Sequence, residues 1–368
     1  MRLLLLDQFS DPGGAQQVLL EFLPALRERG WDALIGMPGE GELFARIREL
    51  GLETARIDCG PFRSGKKSPA DLARFLGGSP RLARQVHALA DRVRADLVYI
   101  NGPRLLPAAS IANLQVPVLF HAHSFLPPGA VRRLTGLALR RLNARVVASC
   151  RFVADSWRQY VAADQLSVIY NGVRAPSRQA KRSSAIPTIA CIGRISAEKG
   201  QREFVEVAAL IHRELPDCRF TIYGAPLFGD LAAQQYDIAL RQAADGLPIE
   251  FPGWTPYIDS ALANIDLLLV PSTAYEATTR VILEAFAAGI PVVAFRSGGI
   301  PEVIEHGVNG MLTDSAEEMA RMTIELLRAD RTAMSQAAFE SWRTRFTLEH
   351  YHSEILNLVE LARRKNPC

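Results

Sequence analysis

The stretch from Thr188 to Glu214, TIACIGRISAEKGQREFVEVAALIHRE, decides the fold. Thr188 to Ile192 reads as a short buried strand, Gly193 to Gly200 as a glycine-bounded loop, and about Arg202 to Glu214 as a helix. Strand, turn and helix in that order open a parallel α/β unit. The amino-terminal residues repeat the pattern: an apolar run from Met1 to Asp7, the turn Ser10-Asp11-Pro12-Gly13-Gly14, and a helical pattern in Val18, Leu19, Phe22, Leu23 and Leu26. Ala33 to Ile35, Leu97 to Ile100, Val116 to Phe120 and Val146 to Ala148 continue the first series as strands, with Leu43 to Leu50 among its helices. Arg219 to Tyr223, Leu267 to Val270 and Pro291 to Phe295 continue the second.

Between the two series lies a polar, turn-rich linker, Asn171 to Ser184. The chain has 368 residues, about two and a half times a usual domain length. The expected architecture is therefore two Rossmann-like, doubly wound parallel-sheet domains, residues 1–173 and 174–345, facing a central cleft. Ligands of such sheets bind beyond the carboxyl ends of the strands.

Composition narrows the function classes. With 48% hydrophobic and 22% charged residues the chain can fill both interiors, which excludes disorder, collagen-like repetition and a disulfide-stapled mini-protein. Cys59, Cys150, Cys191, Cys218 and Cys368 are scattered, with no CxxC or Cys/His cluster, which points to a reducing cytoplasm and away from structural zinc. The run Leu3 to Leu6 is too short for a signal-peptide core and is followed at once by Asp7. No uninterrupted apolar stretch reaches the ~18 residues of a membrane span. A net charge of +3 excludes a nucleic-acid polycation and leaves room for local basic patches.

Two groups of side chains carry candidate chemistry in the second half. Arg194 and Lys199 share the loop after the strand at Thr188 to Ile192, where two cations can clamp a diphosphate without a metal; the alternative is a solvated basic loop. In YEATTRVILEAFAAGIP, residues 275–291, Glu276 falls in the loop before a helix and Glu284 within it, with Thr278 or Thr279 as the N-cap and Gly289 as the helix stop. These carboxylates suit sugar hydroxyls, and the helix N-terminus favours an anionic phosphate. The alternative is two ordinary helix acids.

The E-x7-E pair with its EAFAAGIPVVA tail, the GRISAEKG loop, the turns GGIPEVI (298–304) and GVNG (307–310), and the VIYNGV segment (168–173) resemble, in order and over nearly the whole chain, the retaining glycosyltransferases of the GT-B fold. More narrowly they resemble family 4, the glycosyl transferases group 1. The resemblance implies that Arg194 and Lys199 bind the donor diphosphate, that Glu284 holds the nucleotide ribose, and that Glu276 contacts donor sugar hydroxyls. It implies metal-independent catalysis with no cofactor, the nucleotide diphosphate sugar being the donor substrate. Gly13-Gly14-Ala15-Gln16 resembles the family's GGAE loop, where a bare backbone approaches a ligand closely. His123 matches the family's histidine near the donor sugar, with His121 as the alternative on the same strand face. Trp254 falls where the family surrounds the nucleobase, and a core or rim tryptophan is the competing reading; Tyr223-Gly224 holds a weaker claim of the same kind.

The family's Pro-Phe-Gly or Gly-Phe-Gly after the first acid is replaced by Ala277-Thr278-Thr279, so donor-sugar identity does not carry over there. Two basic regions of the first half stand out, Arg63, Lys66 and Lys67 around Gly65, and the stretch Val131 to Arg145 with Arg132, Arg133, Arg140, Arg141 and Arg145. The second alternates arginines with Leu134, Leu137, Leu139 and Leu142, as an interfacial helix does and as an ordinary packed amphipathic helix does too. The resemblance implies transfer of a sugar, with retention, from a UDP- or GDP-sugar to a glycan or lipid-linked sugar acceptor in cell-surface or exported glycan synthesis. The setting it implies is cytoplasmic, with peripheral contact on an anionic membrane face. The first half would serve the acceptor and the second the donor, with a C-terminal helix from about Phe346 packing back onto the first. Alternatives of the same architecture are a sugar-nucleotide epimerase, a phosphorylase, or a non-catalytic nucleotide-sugar binding subunit. A dinucleotide oxidoreductase is disfavoured because no G-x-G-x-x-G follows the first strand.

Overall fold

The structure, a computed structural model, describes residues 1–39, 41–59, 69–177, 186–226, 231–255 and 258–364, with the side chains of 69–76 left out. The basic group Arg63, Lys66 and Lys67, part of the linker, and Cys368 lie outside the described residues. The chain divides into two compact units, Met1–Asn171 with Glu349–Cys368, and Gly172–Leu348.

The first unit runs β1 (Arg2–Asp7), α1 (Gly14–Glu28), β2 (Asp32–Met37), α2 (Glu42–Glu49), β3 (Glu53–Arg56), α3 (Pro69–Val93), β4 (Leu97–Asn101), α4 (Leu106–Ile111), β5 (Val118–Ala122), α5 (Ala130–Arg141), β6 (Arg145–Ala148), α6 (Arg151–Ala154) and β7 (Leu166–Val168). Its seven parallel strands lie in the order β3-β2-β1-β4-β5-β6-β7. Runs such as Leu3 to Leu6 form strands because helices cover both faces of the sheet, which removes all four side chains from water.

The second unit runs β8 (Thr188–Ile192), α7 (Gln201–Glu214), β9 (Arg219–Tyr223), α8 (Leu231–Ala243), β10 (Ile249–Gly253), α9 (Ile258–Leu262), β11 (Leu267–Val270), α10 (Arg280–Ala287), β12 (Val292–Phe295), β13 (Met311–Thr313), α11 (Ala316–Arg328) and α12 (Thr332–Arg345). Its six parallel strands lie in the order β10-β9-β8-β11-β12-β13. Phe204, Phe220, Ile222 and Leu269 are fully buried in its core. A last helix, α13 (Leu348–Arg364), returns to the first unit, where His352 Nε2 lies 2.8 Å from Glu21 O and Arg29 pairs with Glu360 at 3.2 Å.

Both sheets turn back on themselves once, between β1 and β4 and between β8 and β11. Those are the topological switch points, where loops leave the sheet in opposite directions and open a crevice at the carboxyl edge. The loops after β1, β4, β8 and β11 are thus the ones placed to hold a ligand.

One sequence expectation is corrected here. Arg145 is not part of the basic helix: α5 ends at Arg141, Asn143 takes the left-handed conformation (φ 46°) that stops it, and Arg145 opens β6. There it is buried, and its guanidinium donates to Asp164 O at 3.0 Å.

Candidate functional site

The second unit assembles its candidate residues by docking four loops through their backbones, those after β8, β9, β11 and β12. Gly200 sits left-handed (φ 72°) against the loop after β11, and a Cβ there would stand 1.8 Å from Pro271 O. Thr273 N donates to Glu198 O at 3.1 Å across the same junction. Gly298 is left-handed as well (φ 54°), with Glu276 O only 1.8 Å from where its Cβ would be, and Gly299 N donates to that carbonyl at 2.9 Å. A fourth contact holds Arg194's end of the loop, where a Cβ on Gly224 would come within 2.0 Å of Gly193 O and Ile195 N donates to Ala225 O. The glycines of the GRISAEKG and GGIPEVI motifs are therefore the points where backbones meet.

This framework brings Lys199 and Glu276 together, Nζ to Oε2 at 2.6 Å, with both side chains largely withdrawn from solvent. Arg194 pairs on its own loop with Glu198. Glu284 lies on α10 and pairs with Arg280 at 3.2 Å, while Arg280 also donates to Gly172 O at 3.4 Å. Thr279 occupies the N-cap of α10, yet its side chain makes no capping hydrogen bond. Thr278 is buried with its hydroxyl lacking a partner. Trp254 follows the edge strand β10, two strands from β8, and its indole is half-exposed; among the described residues no hydrogen bond ties it to the Lys199–Glu276 group.

In the first unit, Gly13 is the N-cap of α1 and its carbonyl accepts Gln17 N–H at 2.8 Å. A side chain at Gly14 would meet nothing within 4 Å, so internal packing does not demand a glycine there. His121 and His123 lie together, ring centroids 3.8 Å apart. His121 is buried and its Nδ1 is 2.5 Å from the Tyr99 hydroxyl; burial, and then the neighbouring His123, holds its pKa well below the ordinary value. Burial likewise holds the Tyr99 phenol protonated, with Tyr351 of α13 adding to the rise. His123 is partly buried and bonds through Nε2 to Asn101 Oδ1 at 2.7 Å.

Asn101 leads to a residue that reading for motifs passed over. Its Nδ2 donates to Asp7 at 2.6 Å, and the same carboxylate accepts from Gln16 Nε2 at 2.9 Å and Phe9 N at 2.8 Å. Desolvation raises the Asp7 pKa from 3.8 to about 6 despite those bonds. The signal was present in the sequence: Asp7 and Asn101 are the polar residues that close the apolar runs Leu3 to Leu6 and Leu97 to Ile100, at the switch point.

A pH effect follows, with a fixed sign. Because the folded-state pKa is raised, the native state holds this proton more tightly than the unfolded chain does. The ionised form costs the fold on the order of 3 kcal/mol above pH ~6, and the cost disappears as pH falls toward ~4. Parent stability relative to Asp7→Asn should therefore rise as the pH is lowered across that window. Denaturant midpoints of both proteins measure it, and parallel pH dependences would show that Asp7 titrates normally.

Among the described residues no three His, Cys, Asp or Glu side chains cluster so as to hold a metal ion, and no helix is long and apolar enough to cross a membrane.

Two family models cover most of the chain: Glycosyltransferase Family 4 over residues 12–175 and Glycosyl transferases group 1 over residues 186–329. The D-inositol 3-phosphate glycosyltransferase of Corynebacterium glutamicum is 28% identical over 91% of this chain and 88% of its own. The lipopolysaccharide core biosynthesis glycosyltransferase LpsE of Rhizobium meliloti is 26% identical over 95% of this chain and 97% of its own. Among solved structures, Anabaena HepE in complex with UDP-glucose superimposes with a TM-score of 0.83 at 25% identity, covering 98% of this chain and 100% of that one. Two Rossmann-like units, their loop motifs in order, and matches running through both halves lead to one conclusion: the chain belongs to the family 4, group 1 glycosyltransferases of the GT-B fold.

Proposed function

We propose that this enzyme moves a sugar from a UDP- or GDP-linked donor to a hydroxyl of a glycan or lipid-linked acceptor, with retention of anomeric configuration, in the synthesis of a cell-surface or exported glycan. The observation that carries the reading is the Lys199–Glu276 pair at 2.6 Å, held at a switch point by docked backbones, with Arg194 on the same loop. HepE binds UDP-glucose, which supports a nucleotide-linked donor. The lipopolysaccharide core relative supports a glycan or lipid-linked acceptor, whereas the inositol 3-phosphate relative is named for a small soluble one.

In this reading Arg194 and Lys199 hold the diphosphate. As the bond from C1 of the sugar to the phosphate oxygen breaks, negative charge grows on the leaving group, and the two cations stabilise it without a metal. The acceptor oxygen attacks C1 from the face the phosphate leaves, and its proton passes to the departing phosphate oxygen. No protein nucleophile is needed. Arg194 exchanges Glu198 for phosphate when the donor arrives, and Glu284 and Glu276 accept from ribose and sugar hydroxyls. Thr278 and Thr279 stand where the family's glycine would approach the donor, and Trp254 stacks on the base. In the first unit the Gly13-Gly14 turn admits a close ligand, and His123 serves the transferring sugar.

We place the enzyme in the cytoplasm, peripheral on an anionic membrane face. The supporting feature is α5, where Arg133, Leu137, Arg140 and Arg141 share one exposed helix face. Arg132, Arg140 and Arg141 also staple the helix to carbonyls of Ser156, Gln159 and Ser110. Leu137→Glu should lower co-sedimentation with phosphatidylglycerol vesicles severalfold; unchanged sedimentation removes the membrane from the proposal.

Thermal shift against UDP, GDP, ADP and their sugars tests the donor. A ligand at a hundred times its Kd stabilises the native state by about 2.7 kcal/mol, so the matching nucleotide should raise the Tm by several degrees. No response to any of them would sink the assignment.

A further inference from the structure

Asp7 and Asn101 close the neighbouring strands β1 and β4 at the carboxyl edge of the first sheet, where they are register partners, and His123 directly follows the next strand, β5. Each group that bonds to the Asp7 carboxylate is an N–H donor: Phe9 N, Gln16 Nε2 and Asn101 Nδ2. Such surroundings call for an ionised acceptor. They also fix the Asn101 amide, because turning it over would set Oδ1 against the carboxylate. With Nδ2 committed to Asp7, it is Oδ1 that meets His123 Nε2 at 2.7 Å. A carbonyl oxygen only accepts, so Nε2 carries the proton and Nδ1 is the acceptor of the neutral ring. His121, whose ring is tilted against that of His123 at 3.8 Å between centroids and which is fastened to Tyr99, limits the movement of the ring.

We propose that Asp7 and Asn101 are positioning residues that fix the tautomer of His123, so that its ring meets the transferring sugar with Nδ1 as the acceptor for a sugar hydroxyl. The second half of this statement rests on the reading of His123 given above; the first half does not.

Asp7→Asn tests it by inverting the relay. The new amide presents an N–H to Asn101, whose own amide must turn over and offer Nδ2 to His123. Nε2 then has to accept, and the proton moves to Nδ1. Nitrogen-15 NMR of histidine-labelled protein, with His123→Gln for assignment, should show Nε2–H in the parent and Nδ1–H in Asp7→Asn. The double variant Asp7→Asn/Asn101→Asp moves the carboxylate one place along the relay and should restore Nε2–H. Asn101→Ala, which keeps the native carboxylate, should leave a mixture of both tautomers and decides the matter if Asp7→Asn does not fold.

Transfer should follow the tautomer. In Asp7→Asn, kcat should fall about 100-fold or more with the donor KM little changed, as tautomer inversion does elsewhere, and the double variant should recover most of it. A parent ring protonated at Nδ1, or the same tautomer in the parent and every variant, overturns the positioning role. A reversed tautomer with parental kcat overturns the hydroxyl-accepting role. If the parent transfers no sugar from any donor, the proposed function fails on that ground, while the NMR result still decides the positioning role.

Discussion

Lys199→Ala should transfer sugar ~100- to 1,000-fold more slowly than the parent, the cost of removing one donor aimed at developing charge. Two losses coincide at this residue. In the proposed reaction the leaving phosphate loses a point cation, and Glu276, whose carboxylate is 2.6 Å from the ammonium and mostly withdrawn from solvent, is left without its partner. An arginine would not restore the geometry, because a planar fork does not put its nitrogens where the compact ammonium meets Glu276. Initial rates at saturating donor, with circular dichroism to confirm folding, measure the effect. His306→Ala is the control: that imidazole accepts Leu312 N–H within a turn and should change the rate little. Near-parental transfer by Lys199→Ala would remove the catalytic assignment.

Gly298→Ala should cost both stability and activity although it adds only one methyl group. The residue is left-handed, which penalises a side chain by about 1–2 kcal/mol. The added Cβ also falls 1.8 Å from Glu276 O, where no rotamer change relieves it. Loop separation is the response left, and it carries Glu276 away from Lys199. We expect a loss of about 2–4 kcal/mol from the second unit and, with Glu276 in its proposed role, a ~100-fold lower rate, as when a positioned group is displaced by about an ångström. Thermal unfolding and initial rates check it; a parental Tm together with a parental rate would show that the loops are not rigidly docked.

Which strands were legible follows from where they lie. Thr188 to Ile192, Arg219 to Tyr223 and Leu267 to Val270 are flanked by neighbours on both sides, so their central residues are buried and most of those are apolar. The strands passed over, β3, β7, β10 and β13, are the four sheet edges. Their residues are short, polar or half-exposed, as in Glu53-Thr54-Ala55-Arg56, because an edge is not enclosed and is commonly kept hydrophilic. Arg145 was misplaced for the converse reason: its charge reads as surface, while its stem is buried and its guanidinium is taken up by a backbone carbonyl.

The same logic holds at the candidate sites. Arg194, Lys199, Glu276 and Glu284 stand in motifs dense enough to be recognised, and the structure joins Lys199 to Glu276. Their partners, Glu198 and Arg280, stand inside the same motifs, and their roles become visible only as ion pairs. Asp7 and Asn101 are 94 positions apart, and what joins them is strand register. A single sequence does not display register between strands so distant.

The return of α13 to the first unit has a consequence for synthesis. Residues 172–348 form a continuous unit that can finish folding as soon as it leaves the ribosome. The first unit emerges earlier, yet the helix that places Tyr351 beside Tyr99 and His352 on Glu21 is translated after the entire second unit. The half of the protein made first is therefore the half completed last, and during that interval the nascent chain carries an uncovered flank for chaperones to guard.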